Sequence, residues 1–177
     1  MGSLEQFKIN LKGLKESKTS FSFSLDNEYF DAIGATEVKG GTLSVALDVC
    51  KVASVYELDF HIVGNAMVTC DLCLDDMFLP VETSQKVVAR LGQEDAEDDD
   101  VITVAKDEGV VDVAWLIYEF IALSLPTKHV HAEGQCNPEM VKRLKELEAH
   151  VEADEDSGDT TDPRWSKLKE LKSTNKE

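Results

Sequence analysis

The sequence predicts an α+β domain in which an antiparallel sheet, open or closed into a barrel-like form, packs against one buried helix. A short exposed helix and a C-terminal tail follow it. Apolar and polar residues alternate in several segments, as in residues 21–25, which is the period of a half-buried strand. After residue 112 the apolar spacing becomes helical, and after residue 150 the chain becomes mostly charged and polar. These changes of pattern define the order of sheet, helices and tail.

Three further segments have the strand period. Residues 43–49 and 56–62 each place apolar side chains on one face, and the short link at 51–54 predicts that they form a hairpin. Residues 77–91 predict a long strand. We expect a bulge between Pro80 and Ser84, because proline is accommodated most easily at a bulge or on an edge strand.

Two helices are predicted after the strands. The first runs from Asp112, placed to act as N-cap, to Pro126, and its few charged residues predict burial against the sheet. The second covers residues 138–150, with Asn137 as N-cap and proline at the first helical position. Its apolar stripe is thin, so we expect it to be more exposed.

The negative charge is concentrated in two stretches. The 177 residues carry a net charge of −17; residues 94–100 hold six acids, and residues 146–162 hold eight without any Lys or Arg. Runs of like charge repel and stay solvated. We therefore predict a single domain over 1–150 with an acidic loop at 94–100, an acidic flexible linker at 151–161 and a basic amphipathic segment at 162–177. So acidic a chain is a poor match for phosphate-driven nucleic-acid binding, although an acidic surface can attract a basic partner.

Composition also bears on the compartment. No apolar run is long enough for a membrane span, and the first ten residues lack the apolar core of a secretory signal. Two of the four cysteines form a CxxC motif, which in a chain of this length indicates a metal or redox pair rather than a disulfide framework. We expect a cytoplasmic protein without membrane contact.

Cys70 and Cys73 form this motif, between two strand segments where a turn is expected. Such a turn directs two sulfurs at one point, as in a zinc knuckle, but a tetrahedral site needs two more ligands. His131 and Cys136, after the buried helix, are the candidates, and His129 competes with His131. The four ligands would hold a structural zinc ion and join two distant segments.

Two other interpretations of the CxxC motif stay open. It can be a bare structural turn with no metal or only weakly bound zinc, or a redox pair. Against the redox pair, we expect Asp71, Asp75 and Asp76 to raise the thiol pKa values and oppose thiolate formation. The motif also precedes a strand, whereas the redox motif of thioredoxin-like proteins begins a helix. The sequence has no P-loop, GxGxxG, GxSxG or HExxH motif, so nothing indicates an enzyme.

Three motifs together resemble the YceD family, bacterial and plastid proteins linked to accumulation of large-subunit (23S) ribosomal RNA. They are VTCDLCLDDM around the CxxC, IYEFIALSLP in the buried helix and DPRWSKLKEL near the C-terminus, and the resemblance covers about residues 40–172. Family members often carry further cysteines after the proline that ends this helix. Here that stretch reads KHVHAEGQC, with His131 in place of the first cysteine and Cys136 as the second.

The resemblance implies a ribosome-associated role without a known catalytic activity. In the tail, Trp165, Leu168 and Leu171 share one helical face, and Arg164 and several lysines lie around it. Such a segment can dock onto a partner or fold back on its own sheet. We expect a non-catalytic interaction protein that contacts a ribosomal protein or an rRNA-processing factor. Direct RNA binding and thiol redox chemistry are the alternatives.

Overall fold

The computed structural model of the protein describes residues 4–15, 17–92 and 101–147. Short 3₁₀ turns lie at Leu4–Phe7 and Leu11–Gly13. The regular elements, in chain order, are β1 (Lys8–Asn10), β2 (Lys18–Leu25), α1 (Asn27–Ile33), β3 (Gly40–Val52), β4 (Val55–Thr69), β5 (Asp76–Gly92), β6 (Val101–Ala105), β7 (Val110–Asp112), α2 (Ala114–Ser124) and α3 (Pro138–Leu147). Strands and helices are mixed as predicted, and the fold class is α+β.

The main sheet has five strands in the order β2-β3-β4-β5-β6. The first four pair antiparallel in sequence order, and β6 pairs with β5 in parallel. Closure into a barrel would require β2 to pair with β6. Within the described residues β2 pairs only with β3 and β6 only with β5, so the sheet is open and the barrel-like alternative is wrong. A separate two-stranded sheet joins β1 to β7.

Pro80 lies on a part of β5 that has one neighbouring strand. The register between β4 and β5 runs without interruption from Val55↔Arg90 to Thr69↔Asp76, so the predicted bulge near Pro80 is absent. Among the described strands, β6 covers only Val88–Gly92 of β5. The missing N–H of Pro80 is therefore tolerated because this stretch is an edge, and no bulge is needed.

The core lies between one face of the sheet and α2. Alternate residues of β3 and β4 are buried, including Leu43, Leu47, Leu58 and Ile62. The Phe60 ring on β4 meets the Phe120 ring on α2 edge-on at 5.2 Å, which places α2 on this face as predicted. Burial of these apolar side chains is the main source of folding free energy.

Residues near the ends of the helices cap their backbones. The N-cap of α2 is Val113, one residue after the predicted Asp112. Asp112 belongs to β7, and its carboxylate accepts a hydrogen bond from the Ala114 N–H at 2.9 Å. Asn137 accepts from the Glu139 N–H at 3.1 Å and caps α3, as expected. Helix α1 was not predicted.

The chain divides into two compact units, Met1–Arg143 and Leu144–Glu177. Of the second unit, only Leu144–Leu147 at the end of α3 lie in the described part. The predicted acidic loop at 94–100, the linker at 151–161 and the basic segment at 162–177 lie outside the described residues. The proposed partner-binding residues of the basic segment also lie outside the described residues; they are Arg164, Trp165, Leu168 and Leu171.

No helix in the described part of the chain is long and apolar enough to cross a membrane.

Candidate metal centre

The four candidate ligands lie together at one end of the sheet. Cys70 and Cys73 occupy the turn between β4 and β5, and His131 and Cys136 lie in the irregular segment between α2 and α3. One ligand atom from each residue lies within 4.8 Å of all the others. Residues more than 50 positions apart in sequence thus form a Cys₃His group that could hold a metal ion.

The spacing of these atoms fits a tetrahedral ion. The Cys70 and Cys136 sulfurs are 3.9 Å apart, and Nδ1 of His131 lies 3.4 Å from the Cys73 sulfur and 3.9 Å from the Cys136 sulfur. Zn–S bonds of about 2.3 Å and Zn–N bonds of about 2.0 Å place the ligands of a tetrahedral zinc roughly 3.5 to 3.8 Å apart. These three distances are close to those of a tetrahedral zinc ion, and the donor types are those of a structural zinc site.

Backbone hydrogen bonds close the CxxC turn. The Cys70 N–H donates to the Asp75 carbonyl at 2.9 Å, and the Leu74 N–H donates to the Cys70 carbonyl at 2.9 Å. Leu74 has a φ of 63°, in the left-handed region, which lets the chain return into β5 within a few residues. The two cysteine side chains consequently point to the same side and are buried.

Backbone donors control the ionisation of Cys70. Burial raises the pKa of its thiol, but backbone N–H groups of Cys73, His131 and Leu72 hydrogen-bond the sulfur and lower the pKa to about 6. Cys136 differs, because burial and hydrogen bonds with Cys70 and Cys73 raise the pKa of its thiol to about 11. The backbone N–H groups directed at the Cys70 sulfur favour its thiolate, which is the form that coordinates a metal ion.

The nearby aspartates do not act as predicted. We expected Asp71, Asp75 and Asp76 to raise the thiol pKa values, and for Cys70 this is wrong. The Asp71 carboxylate accepts from the His129 backbone N–H at 2.6 Å, and the Asp75 carboxylate accepts from the Asn137 amide at 3.2 Å. Asp76 pairs with Lys39 at 2.6 Å. Each carboxylate thus has its own partner, and the backbone N–H groups dominate at the sulfur.

His129 has a different place from His131. Its backbone exchanges two hydrogen bonds with Asp71, since the Asp71 N–H also donates to the His129 carbonyl at 2.7 Å. These bonds fasten the segment after α2 to the CxxC turn, and it is the His131 ring that reaches the sulfurs. Nε2 of His129 is buried and has no partner among the described residues. This clamp through Asp71 was not predicted.

Two features complete the segment from His131 to Cys136. Gly134 adopts a φ of 81°, which glycine accommodates readily, and the Gln135 N–H closes a turn onto the Ala132 carbonyl at 3.0 Å. Cys50, by contrast, is half-buried on β3 and does not belong to the group.

Residues 58–172 match the family described as large ribosomal RNA subunit accumulation protein YceD. No curated protein and no solved structure matches the chain. The matched region begins in β4 and includes β5, α2, α3 and all four candidate ligands. Because this match covers well over half of the 177 residues, the chain belongs to the YceD family.

Proposed function

We propose that this protein supports the accumulation of large-subunit ribosomal RNA as a non-catalytic interaction protein in the cytoplasm, acting mainly through protein contacts. The family description names the process. The proposed partner is a basic ribosomal protein or an rRNA-processing factor. The observation that carries the choice of protein contacts over RNA contacts is the charge on the solvent face of the sheet.

This face consists of the outward-pointing residues of β2 to β5. By strand alternation these strands carry three basic side chains and five acidic ones on this face, namely Lys18, Lys86, Arg90, Asp48, Glu57, Asp59, Asp76 and Glu82. Lys39, just before β3, pairs with Asp76 at 2.6 Å, so one acid remains in excess. Lys18 pairs with Asp48 at 2.9 Å, and Lys86 pairs with Glu57 at 2.8 Å. An RNA phosphate would compete with these carboxylates for both lysines, whereas a basic protein would meet the excess negative charge.

We further propose that Cys70, Cys73, His131 and Cys136 hold a structural zinc ion. Zinc would replace the thiol protons and join the CxxC turn to the segment after α2. Cys70 and Cys73 are buried, and the hydrogen bonds between Asp71 and His129 join their turn to the segment that carries His131 and Cys136, which suits a closed structural site.

Thiol redox chemistry is the second candidate, and the low pKa of Cys70 favours it. The structural zinc site and the redox pair predict different behaviour of the zinc-loaded protein. A structural site keeps zinc through purification under reducing conditions and does not exchange with a small disulfide while loaded. Rapid exchange by Cys70 and Cys73 in the zinc-loaded protein would favour the redox candidate instead.

A tagged pull-down from growing cells tests the main proposal, with bound proteins and RNA identified before and after nuclease treatment. We expect a large-subunit ribosomal protein or a processing factor to remain bound after nuclease. Loss of every partner on nuclease treatment would mean that RNA holds the complex, and recovery of no ribosomal material would contradict the proposal as a whole.

A further inference from the structure

Helix α2 has an exposed apolar stripe on the side away from the core. Trp115, Glu119 and Leu123 follow one another at i, i+4 and i+8 and therefore share a face. Trp115 is 51% exposed and Leu123 is 81% exposed. Large apolar side chains grouped in this way on a surface indicate a binding site more often than scattered ones do.

These residues line a groove of about 530 Å³ together with the loop that follows α1. The α2 groove, as we name it, is lined by Gly34, Glu37, Trp115, Tyr118, Glu119 and Leu123. Of the described residues that line it, two are charged, Glu37 and Glu119, and both are acidic. Its surface thus combines apolar side chains with negative charge.

Trp115 is held in place before any partner arrives. Its indole N–H donates to the Glu119 carboxylate at 2.7 Å, and its ring contacts the Tyr118 ring with centroids 5.3 Å apart. A tryptophan fixed in one orientation loses little conformational entropy on binding, and tryptophan is enriched among the residues that dominate binding free energy. The site is preorganised for an apolar side chain.

From these contacts we infer that the α2 groove binds a basic amphipathic peptide segment of a protein partner. Apolar side chains of the segment pack on Trp115 and Leu123, and its lysines or arginines face Glu37 and Glu119. Charge complementarity selects a basic segment over an acidic one, because an acidic segment would meet the like charge of Glu37 and Glu119. The acidic sheet face, which favours a basic protein partner in the proposed function, selects a segment of that partner. The inference rests on the proposed function and names where the basic partner docks.

Peptide binding followed through Trp115 tests this inference. The chain has two tryptophans, so Trp165→Phe leaves Trp115 as the single emitter. Because Trp165 belongs to the segment proposed to bind a partner, calorimetry is done on the unsubstituted chain as well. The probe is a synthetic helical peptide with leucine on one face and lysine on the other. Two matched peptides replace lysine by glutamate or leucine by serine. We expect only the leucine–lysine peptide to change Trp115 emission and to bind in calorimetry. Equal binding of the serine–lysine peptide would overturn the inference, because it would show unspecific attraction to an acidic protein.

Matched variants locate the binding. Leu123→Ser should weaken peptide binding about tenfold or more, because the peptide would bury the Leu123 side chain. Phe78→Ser removes another exposed apolar side chain and should leave peptide binding unchanged. Glu119→Gln keeps an acceptor for the Trp115 N–H but removes the charge, and should weaken binding severalfold. Glu82→Gln, on the opposite face of the sheet, is its control. Equal effects of test and control variants would place the peptide elsewhere.

Two outcomes separate this inference from the proposed function. If Leu123→Ser leaves a nuclease-resistant ribosomal partner bound in the pull-down, the proposed function stands, but the inference that the partner binds in the α2 groove is wrong. If the protein self-associates and Leu123→Ser makes it monomeric in sedimentation, the occupant is a second copy, which also overturns the inference.

Discussion

Asp71 and His129, 58 residues apart in sequence, exchange two hydrogen bonds, one through the Asp71 carboxylate and one through the Asp71 N–H. Asp71 lies inside the CxxC motif, and His129 lies two residues before the candidate ligand His131. The pair thus sets the distance between the two halves of the metal centre. Mutation of a residue that holds a metal ligand in place, without binding the metal itself, typically weakens metal affinity about ten- to a hundredfold.

Asp71→Ala should therefore weaken zinc binding by about one to two orders of magnitude without abolishing it. The variant removes the acceptor of the His129 N–H and leaves all four ligands in place. Competition with a chromophoric zinc chelator measures the change. Asp76→Ala is the control, because Asp76 neighbours the same turn but pairs with Lys39. Equal losses in both variants would show that the effect is general electrostatics and would contradict the role of the clamp.

Removal of zinc should lower the melting temperature. Zinc present at about a thousand times its dissociation constant stabilises the folded state by roughly 4 kcal/mol, about 10 °C for a chain of this size. Cys70→Ser and Cys136→Ser should reproduce the loss and reduce the zinc content measured by atomic emission. Cys50→Ser should retain full zinc content, since Cys50 is outside the group. A zinc-free protein that melts at the same temperature would contradict the structural site.

The outcome at the metal centre shows what the sequence could and could not predict. The CxxC spacing and the nearby His and Cys residues were sufficient to name four residues that the fold brings together. The choice between His129 and His131 depends on the backbone pairing with Asp71, a tertiary contact with no local signature. The pKa of Cys70 was misjudged because charges are visible in the sequence, whereas backbone N–H groups directed at a sulfur are not.

In the fold, too, local patterns were predictable from the sequence and tertiary contacts were not. Strands β3 and β4 alternate clearly and their hairpin link is short, so they were predictable. Helix α1 has only seven residues, too few to establish a helical period, and it is held instead by tertiary contacts and an Asp26 cap. The parallel pairing of β6 with β5 was also missed, since strand order across an intervening loop is a tertiary property.

One tertiary contact of α1 supports a prediction of stability. The Tyr29 hydroxyl donates to the Ala114 carbonyl at 2.7 Å and joins α1 to the start of α2. Burial raises the pKa of Tyr29, so the hydroxyl stays protonated and remains a donor. Tyr29→Phe should cost about 1 kcal/mol of unfolding free energy in urea denaturation, the net value of one buried hydrogen bond.

Tyr56→Phe is the matched control for Tyr29. Tyr56 is buried too, but its hydroxyl makes no hydrogen bond to a described residue. Its substitution should leave the unfolding free energy nearly unchanged. If both variants lose the same amount, the contact with Ala114 contributes nothing specific.

Gly64 permits the close approach of β3 and β4. It has a φ of 156°, and a Cβ at this position would lie 2.6 Å from Cα of Leu43 and overlap the carbonyl oxygen of Thr42. Because both contacts are with the backbone of the neighbouring strand, no side-chain rotation can relieve them. The two central strands would have to separate locally, which disturbs the burial of Leu43 beneath them.

Gly64→Ala should accordingly destabilise the protein by about 3 kcal/mol or more, in the range of severe overpacking. Chemical denaturation measures the change, and the control is Gly13→Ala, where an added Cβ would meet only the Asn10 side chain, at an ordinary 3.5 Å or more. Because Gly64 lies away from the Cys70 turn, the folded fraction of Gly64→Ala should still bind zinc. A loss below 1 kcal/mol would mean that β3 and β4 are less closely apposed at Gly64 than the distances from the added Cβ imply.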